Sequence, residues 1–237
     1  MFHSLLIKII SYSILIFLSS FGIFEYLSTQ AINKSILADR MENLNAIRDS
    51  RQYAIEEHFR LAQDQIAHLA QDDMVIDAIE EFSIGFNSLS EEVEPVSPER
   101  STYAQELLGY YTDEFKPRLE TQGGTWPGAE AMLPKSEEAL MLQWMYLAEN
   151  PHDVGTKELL VRAEVSCHYN TAHAQFHPSL HSFQQSFGYY DIFLFDLEGN
   201  LIYSVFKETD FATNFLEGPY AESNLGLAYR KALHSDT

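Results

Sequence analysis

The chain has 237 residues, 46% of them hydrophobic and 13% aromatic, which is enough apolar material for one or two folded domains and too much for a disordered chain. Its formal net charge is -20, and Lys8 and Glu25 cancel as the only charges before residue 29, so the acidity belongs to residues 29–237. Such a surface repels phosphate backbones and argues against nucleic acid as a partner; its plainest use is solubility. Cys167 is the only cysteine, which excludes an internal disulfide and a cysteine-based zinc site. A lone thiol without activating neighbours reads as a small buried apolar residue.

Residues Ile9 to Phe24 carry no charge. As a helix they cover roughly 24 Å, and with Leu5–Ile7 added and Lys8 snorkelling they reach about the 30 Å of a hydrocarbon core. The predicted membrane helix is 5–28, after a cytoplasmic start at 1–4, with Glu25 and Tyr26 at the far interface. A cleaved signal peptide would need small residues at its cleavage site, where Phe21, Ile23, Phe24 and Tyr26 stand instead, so an uncleaved anchor is favoured. Lys8 and the amino terminus favour a cytoplasmic start, against Lys34 and Arg40 on the other side.

From Ala31 there is neither Pro nor Gly until Gly85, and 29–90 reads as a long packing helix. Ile55, Phe59, Ala62, Ile66 and Leu69 step by three and four, and Ile76, Ile79, Phe82, Phe86 and Leu89 nearly continue the stripe. This seam suits packing on the chain's own domain or on a second copy in a homodimer. Asp72-Asp73 interrupts it, and a break is expected there. Ser88 to Ser101 reads as a linker within a helical insert at 91–165. Helices are expected over Thr102–Phe115, stopping before Pro117, and over Glu137–Glu149, separated by an irregular stretch from Gln122 to Pro134. Ser166 to Phe187 reads as helix again, with Pro178 at a start or kink.

The pattern then changes to strands. Residues 189–196 are aromatic and β-favouring, Leu197-Glu198-Gly199-Asn200 is a turn, and Leu201 to Phe206 is a second strand. Gly218-Pro219 opens a last helix with Leu225, Ala228, Tyr229 and Leu233 apolar. One hairpin is not a stable sheet by itself, so the chain reads as α+β with an incomplete antiparallel sheet over 166–237, and as a fragment.

Three runs carry a resemblance: Phe-Gly-Tyr-Tyr-Asp-Ile-Phe-Leu-Phe-Asp at 187–196, Gly-Asn-Leu-Ile-Tyr-Ser-Val-Phe-Lys-Glu-Thr-Asp-Phe-Ala-Thr-Asn at 199–214, and Gly-Pro-Tyr-Ala-Glu-Ser-Asn-Leu at 218–225. Together with Ala-Ile-Arg-Asp-Ser-Arg-Gln-Tyr-Ala-Ile-Glu-Glu-His-Phe at 46–59 and Phe-His-Pro at 176–178, they resemble the Cache-type sensory region of bacterial transmembrane receptors. The likeness is specific around 187–225 and looser over 90–165. It implies a PAS-like extracytoplasmic domain of a chemoreceptor, with a membrane adenylate or guanylate cyclase, a sensor kinase or a partner-binding module as alternatives. It also implies further strands, a second membrane helix and an output domain beyond Thr237, and an inner-membrane protein whose bulk is periplasmic. The amino-acid motif of some double-Cache receptors is not matched, because no Arg stands two residues before Trp144.

In such a fold one sheet face and the following loop enclose a small molecule. Strand alternation puts Tyr203 and Lys207 on one face, and Asp210 and Tyr220 come from the covering loop; with Tyr190 these are the candidate ligand-binding residues. Asp191, Asp196, Glu208 and Asp210 lie on or beside the hairpin, but no nucleophile–base pair or phosphate loop accompanies them, so a non-catalytic stretch is expected. His173, His177 and His181, with His168 upstream, recur at a spacing used for zinc or haem ligation. Pro178 interrupts the run and no carboxylate follows at a ligand-like step, so ordinary histidines are preferred and no metal or cofactor is expected.

Overall fold

A computed structural model of the chain describes residues 2–93 and 100–235. The chain is α+β: mostly helical, with one small antiparallel sheet and a long apolar helix at its N-terminus. It divides into two units, Met1–His68 and Leu69–Thr237.

The first unit is a single helix, α1, whose span Phe2–Leu69 overruns it by one residue. Near the N-terminus α1 is long and apolar enough to cross a membrane. From Ile7 to Leu27 its large apolar residues point outward on every side, as in a helix whose solvent is hydrocarbon. Farther along it becomes amphipathic and carries solvated pairs: Arg60 bridges Glu57 (2.6 Å) and Asp64 (2.7 Å), and Gln52 donates to Glu56. Exposed pairs of this kind are screened by solvent and serve solubility more than stability. The predicted break after this helix is found. The side chain of Asp72 accepts the Met74 N–H (2.9 Å) and caps α2 (Asp73–Glu92), with Asp73 in the first turn against the positive helix end.

In the second unit α2 buries Val75, Ala78, Phe82, Phe86 and Leu89. The predicted stripe is right from Phe82 onward, but at its start Val75 and Ala78 face inward and Ile76 is exposed. Helix α2 extends to Glu92, so the expected linker begins later than Ser88; its remaining residues 94–99 lie outside the described residues. Next come α3 (Arg100–Tyr110), a π-helical turn (Tyr111–Phe115) and α4 (Lys116–Thr121). The helical path therefore passes Pro117 instead of stopping before it. The wide turn shifts the hydrogen-bond register just before the proline, which lands in the first turn of α4, where its missing N–H costs nothing. After the short α5 (Ala129–Met132), α6 (Glu137–Gln143) is capped by Ser136, whose hydroxyl accepts the Ala139 N–H, and runs into a second π turn (Trp144–Ala148). A 3-10 turn at Lys157–Leu159 leads to α7 (His168–Phe187), which ends on Gly188 at φ 69. Pro178 lies inside α7 with its ring outward, and helix continues on both sides of it.

Helices α2 and α7 cross closely at Gly85, where a Cβ would stand 2.6 Å from the Tyr169 Cα. Strands β1 (Phe193–Phe195) and β2 (Leu201–Ser204) pair antiparallel, Leu194 opposite Tyr203, with an irregularity after Leu194. Both are shorter than expected because Asp191 ends the ladder: its Oδ1 accepts the N–H groups of Ile192 (2.6 Å) and Val205 (2.7 Å). The turn is set by Asp196, which accepts the Asn200 N–H and side-chain amide (2.7 Å each), and by Gly199 at φ 90. Residues 212–215 pair back onto the start of β2 through Leu201 N–H to Thr213 O (3.0 Å) and Phe215 N–H to Gly199 O (2.7 Å). Gly218-Pro219 lies in turns, and the last helix, α8 (Asn224–Leu233), starts later, capped by Ser223. Tyr229 docks it on the hairpin turn by donating to Asp196 O (3.0 Å).

Candidate functional site

Phe82 stands where α2, α7 and β2 meet. Its ring stacks on Tyr203 (4.8 Å between centroids) and contacts Tyr169 (5.2 Å) and Phe176 (6.2 Å). Tyr169 donates to Ile202 O (2.6 Å), tying α7 to the sheet. The sheet face bearing Tyr203 is thus covered by packed helices, and polar groups are gathered at its edge.

His173 and His177 lie one turn apart on α7, buried, with rings stacked 4.4 Å apart; His181 continues the stack at 5.5 Å. Because a carbonyl only accepts, His177 Nε2 carries the proton and donates to Glu158 O (2.7 Å). Its Nδ1 accepts from the Tyr203 hydroxyl (2.8 Å). His173 donates from Nδ1 to Val161 O (2.7 Å), while its Nε2 is buried without a partner. Burial, followed by the charge of Lys207, holds His173 well below the usual range and lowers His177 to about 3. Both are neutral imidazoles. Stacked ring on ring and bonded to protein oxygens, they do not converge on a common point, and no group of three or more His, Cys, Asp or Glu is placed to hold a metal ion among the described residues.

Lys207 follows β2 in a left-handed backbone conformation (φ 55) and is 2% exposed. Its ammonium donates to Ser204 O and faces the rings of Tyr203, Phe211 and Tyr146. Burial pushes Lys207 down and Asp191 up, while Asp191 and Glu158 pull Lys207 back toward its charged form. Asp210 is nearly buried, its Oδ1 has no partner, and burial together with Glu208 and Asp191 raises it to about 7. Tyr220 bonds Thr209 through the two hydroxyls (2.8 Å), and burial raises its phenol to about 12.

Of the five predicted ligand residues, the structure brings Tyr203 and Lys207 into contact and puts Asp210 and Tyr220 on the loop that follows. Tyr190 stands apart: it is 71% exposed and donates to Glu208 (2.9 Å). Tyr146, Phe211, Glu158 and the pair His173–His177 also surround Lys207, which the sequence does not announce. The i, i+4 spacing of the histidines signals a shared face, but nothing in sequence links the π turn at Trp144–Ala148 to residue 207. Gln143 makes that link by donating to Thr209 O (3.1 Å) and Phe211 O (2.6 Å) while accepting from Tyr111.

Chemically, the site pairs an ammonium and aromatic faces with unpaired acceptors. No family model matches the chain, and neither a curated protein nor a solved structure matches it.

Proposed function

We propose that this chain is the extracytoplasmic sensory part of a bacterial transmembrane receptor of the chemotaxis type, with a PAS-like lobe that binds a small molecule. Residues 5–28 of α1 anchor it in the inner membrane, the bulk is periplasmic, and the remainder of α1 pairs with a second copy. This stretch is non-catalytic, and its output lies elsewhere in the receptor.

The observation that carries this reading is the buried charged cluster beneath the loop at 205–213. A lysine and a left-handed non-glycine backbone are costly there, and three acceptors, Glu158 Oε2, His173 Nε2 and Asp210 Oδ1, lie buried without partners. A fold selected for stability alone would place apolar side chains at these positions; a ligand site keeps polar groups in waiting. Support also comes from α1, which runs unbroken from its apolar segment to Leu69, three residues before the cap of α2. A ligand that favours one arrangement of the lobe would shift the population of helix states coupled to it.

The test is a thermal-shift screen of the full chain in lipid nanodiscs against small metabolites. One chemical class is expected to raise Tm by several degrees, as binding to the native state alone requires. A flat response to every class sinks direct sensing.

A further inference from the structure

Tyr146, Tyr203 and Phe211 present ring faces to one point from three elements: the π turn after α6, strand β2 and the loop that follows it. The Lys207 ammonium stands 4.2 Å from the Tyr203 centroid, 5.2 Å from Phe211 and 5.6 Å from Tyr146. Both tyrosine hydroxyls are engaged away from it, Tyr146 with Asn170 Oδ1 (2.8 Å) and Tyr203 with His177 (2.8 Å), so faces rather than hydroxyls meet the charge. This is the geometry in which an ammonium is held by ring quadrupoles.

The polar surroundings select in the same direction. The buried atoms left unpaired near the rings, Glu158 Oε2 and His173 Nε2, are acceptors, and so is Asp210 Oδ1 on the adjoining loop when its carboxyl is ionised. Asp191 and Glu158 act on the Lys207 charge. A carboxylate or phosphate ligand would face acceptors; an amine would supply the missing donors. The present occupant is held at a cost: its ammonium is buried, donating to Ser204 O, and its backbone stands at φ 55, where a side chain is strained.

We propose that Tyr146, Tyr203 and Phe211 form an ammonium cage in which the Lys207 side chain is a tethered resident, and that a compact primary amine is the ligand class that replaces it. This rests on the reading of the lobe as a small-molecule sensor and names its ligand. The loop at 205–213 carries Lys207 and Phe211 together, so eviction of the lysine moves that loop, which is also bound to Gln143 and Asp191.

The experiment is chemical rescue. Lys207→Ala in the full chain, in nanodiscs, is melted with n-butylammonium, with 1-butanol and with butyrate. Butylammonium is expected to restore about half or more of the lost Tm, saturably, and the other two little, because only the amine replaces both stem and charge. The wild type is expected to need about tenfold more amine for the same shift, because the lysine competes. Lys207→Met fills the volume without charge, is expected to fold, and should not respond to the amine. Equal rescue by butanol overturns the cage as a mere cavity. No rescue, a Lys207→Ala chain that stays unfolded with amine present, or an equal response from Lys207→Met also overturns it. If neutral or anionic metabolites stabilise the wild type while the rescue fails, sensing stands and the amine class falls.

Discussion

Phe59 and Phe82 lie on the same kind of apolar helical stripe, yet Phe59 in α1 is 63% exposed and Phe82 in α2 is fully buried. The spacing that precedes each is alike, and the difference is the surface opposite. Helix α2 meets Tyr169, Phe176 and Tyr203 within its own unit, whereas α1 is a helix without a core of its own. Periodicity therefore reports that a face is apolar, not what covers it. In α1 nothing within its own unit covers that face.

That contrast is broken or sharpened most strongly by truncating the two phenylalanines. Phe82→Ala removes a ring packed against those of Tyr169, His173, Phe176 and Tyr203 and should cost about 3–5 kcal/mol. Phe59→Ala should stay within about 0.5 kcal/mol in the monomeric chain. Urea unfolding in detergent reads both: the fluorescence of Trp126 and Trp144, which belong to the second unit, follows Phe82→Ala, and far-ultraviolet circular dichroism follows the helix that carries Phe59. Equal losses would mean that the α1 stripe is packed as α2 is, and the contrast would fail.

A smaller effect probes how the second unit holds its polar interior. Gln143 is fully buried and joins Tyr111, Thr209 and Phe211, so it spans the core and the loop that carries Lys207. Gln143→Leu keeps the bulk but leaves two carbonyls and a hydroxyl unpaired. The expected cost is about 2–3 kcal/mol, read from the same urea curves. A loss below about 0.5 kcal/mol would mean that these groups find water, and that the loop is not tied to α6 as described.

The sequence was most readable where a local rule decides. The break at Asp72-Asp73 follows from a carboxylate that caps a helix, and the turn at 197–200 from Asp196, Gly199 and Asn200 acting within five residues. Misreadings came where distant groups decide. Helix continues past Pro117 because a π turn absorbs the missing donor, and the strands stop early because Asp191 takes the Val205 N–H fourteen residues away. The site shows the same division. Tyr203 and Lys207 do meet, but not by the expected strand alternation: β2 ends at Ser204, and a left-handed turn at Lys207 folds its side chain back over the Tyr203 ring, which is still local. Tyr146, Glu158 and His173 arrive from two turns and a helix far off in the chain, and no periodicity announces them.

The most discriminating effect is on pH, since the exposed carboxylates of α1 and the nearly buried Asp210 share a chemistry and differ in surroundings. Asp210 is raised from 3.8 to about 7, so between these values the folded chain keeps a proton that the unfolded chain has released. Stability from this group is full below pH 3.8 and is lost as pH rises through 7, by about 1.4 kcal/mol per unit. His177 has the opposite sign. Lowered from 6.5 to about 3, it stays neutral in the folded chain while the unfolded chain takes up a proton, so its contribution is present above pH 6.5 and is lost on acidification. The two slopes oppose each other in the same window, and the wild-type profile should be nearly flat between pH 4 and 6.5 in this respect. Asp210→Asn removes one of them. Its stability should exceed wild type at pH 8 and then fall more steeply on acidification, by about 1.4 kcal/mol per unit, in denaturation curves taken across that range. Parallel profiles for the two proteins would mean that Asp210 is solvated in the folded chain, and the acceptor-rich interior would lose one of its three unpaired atoms.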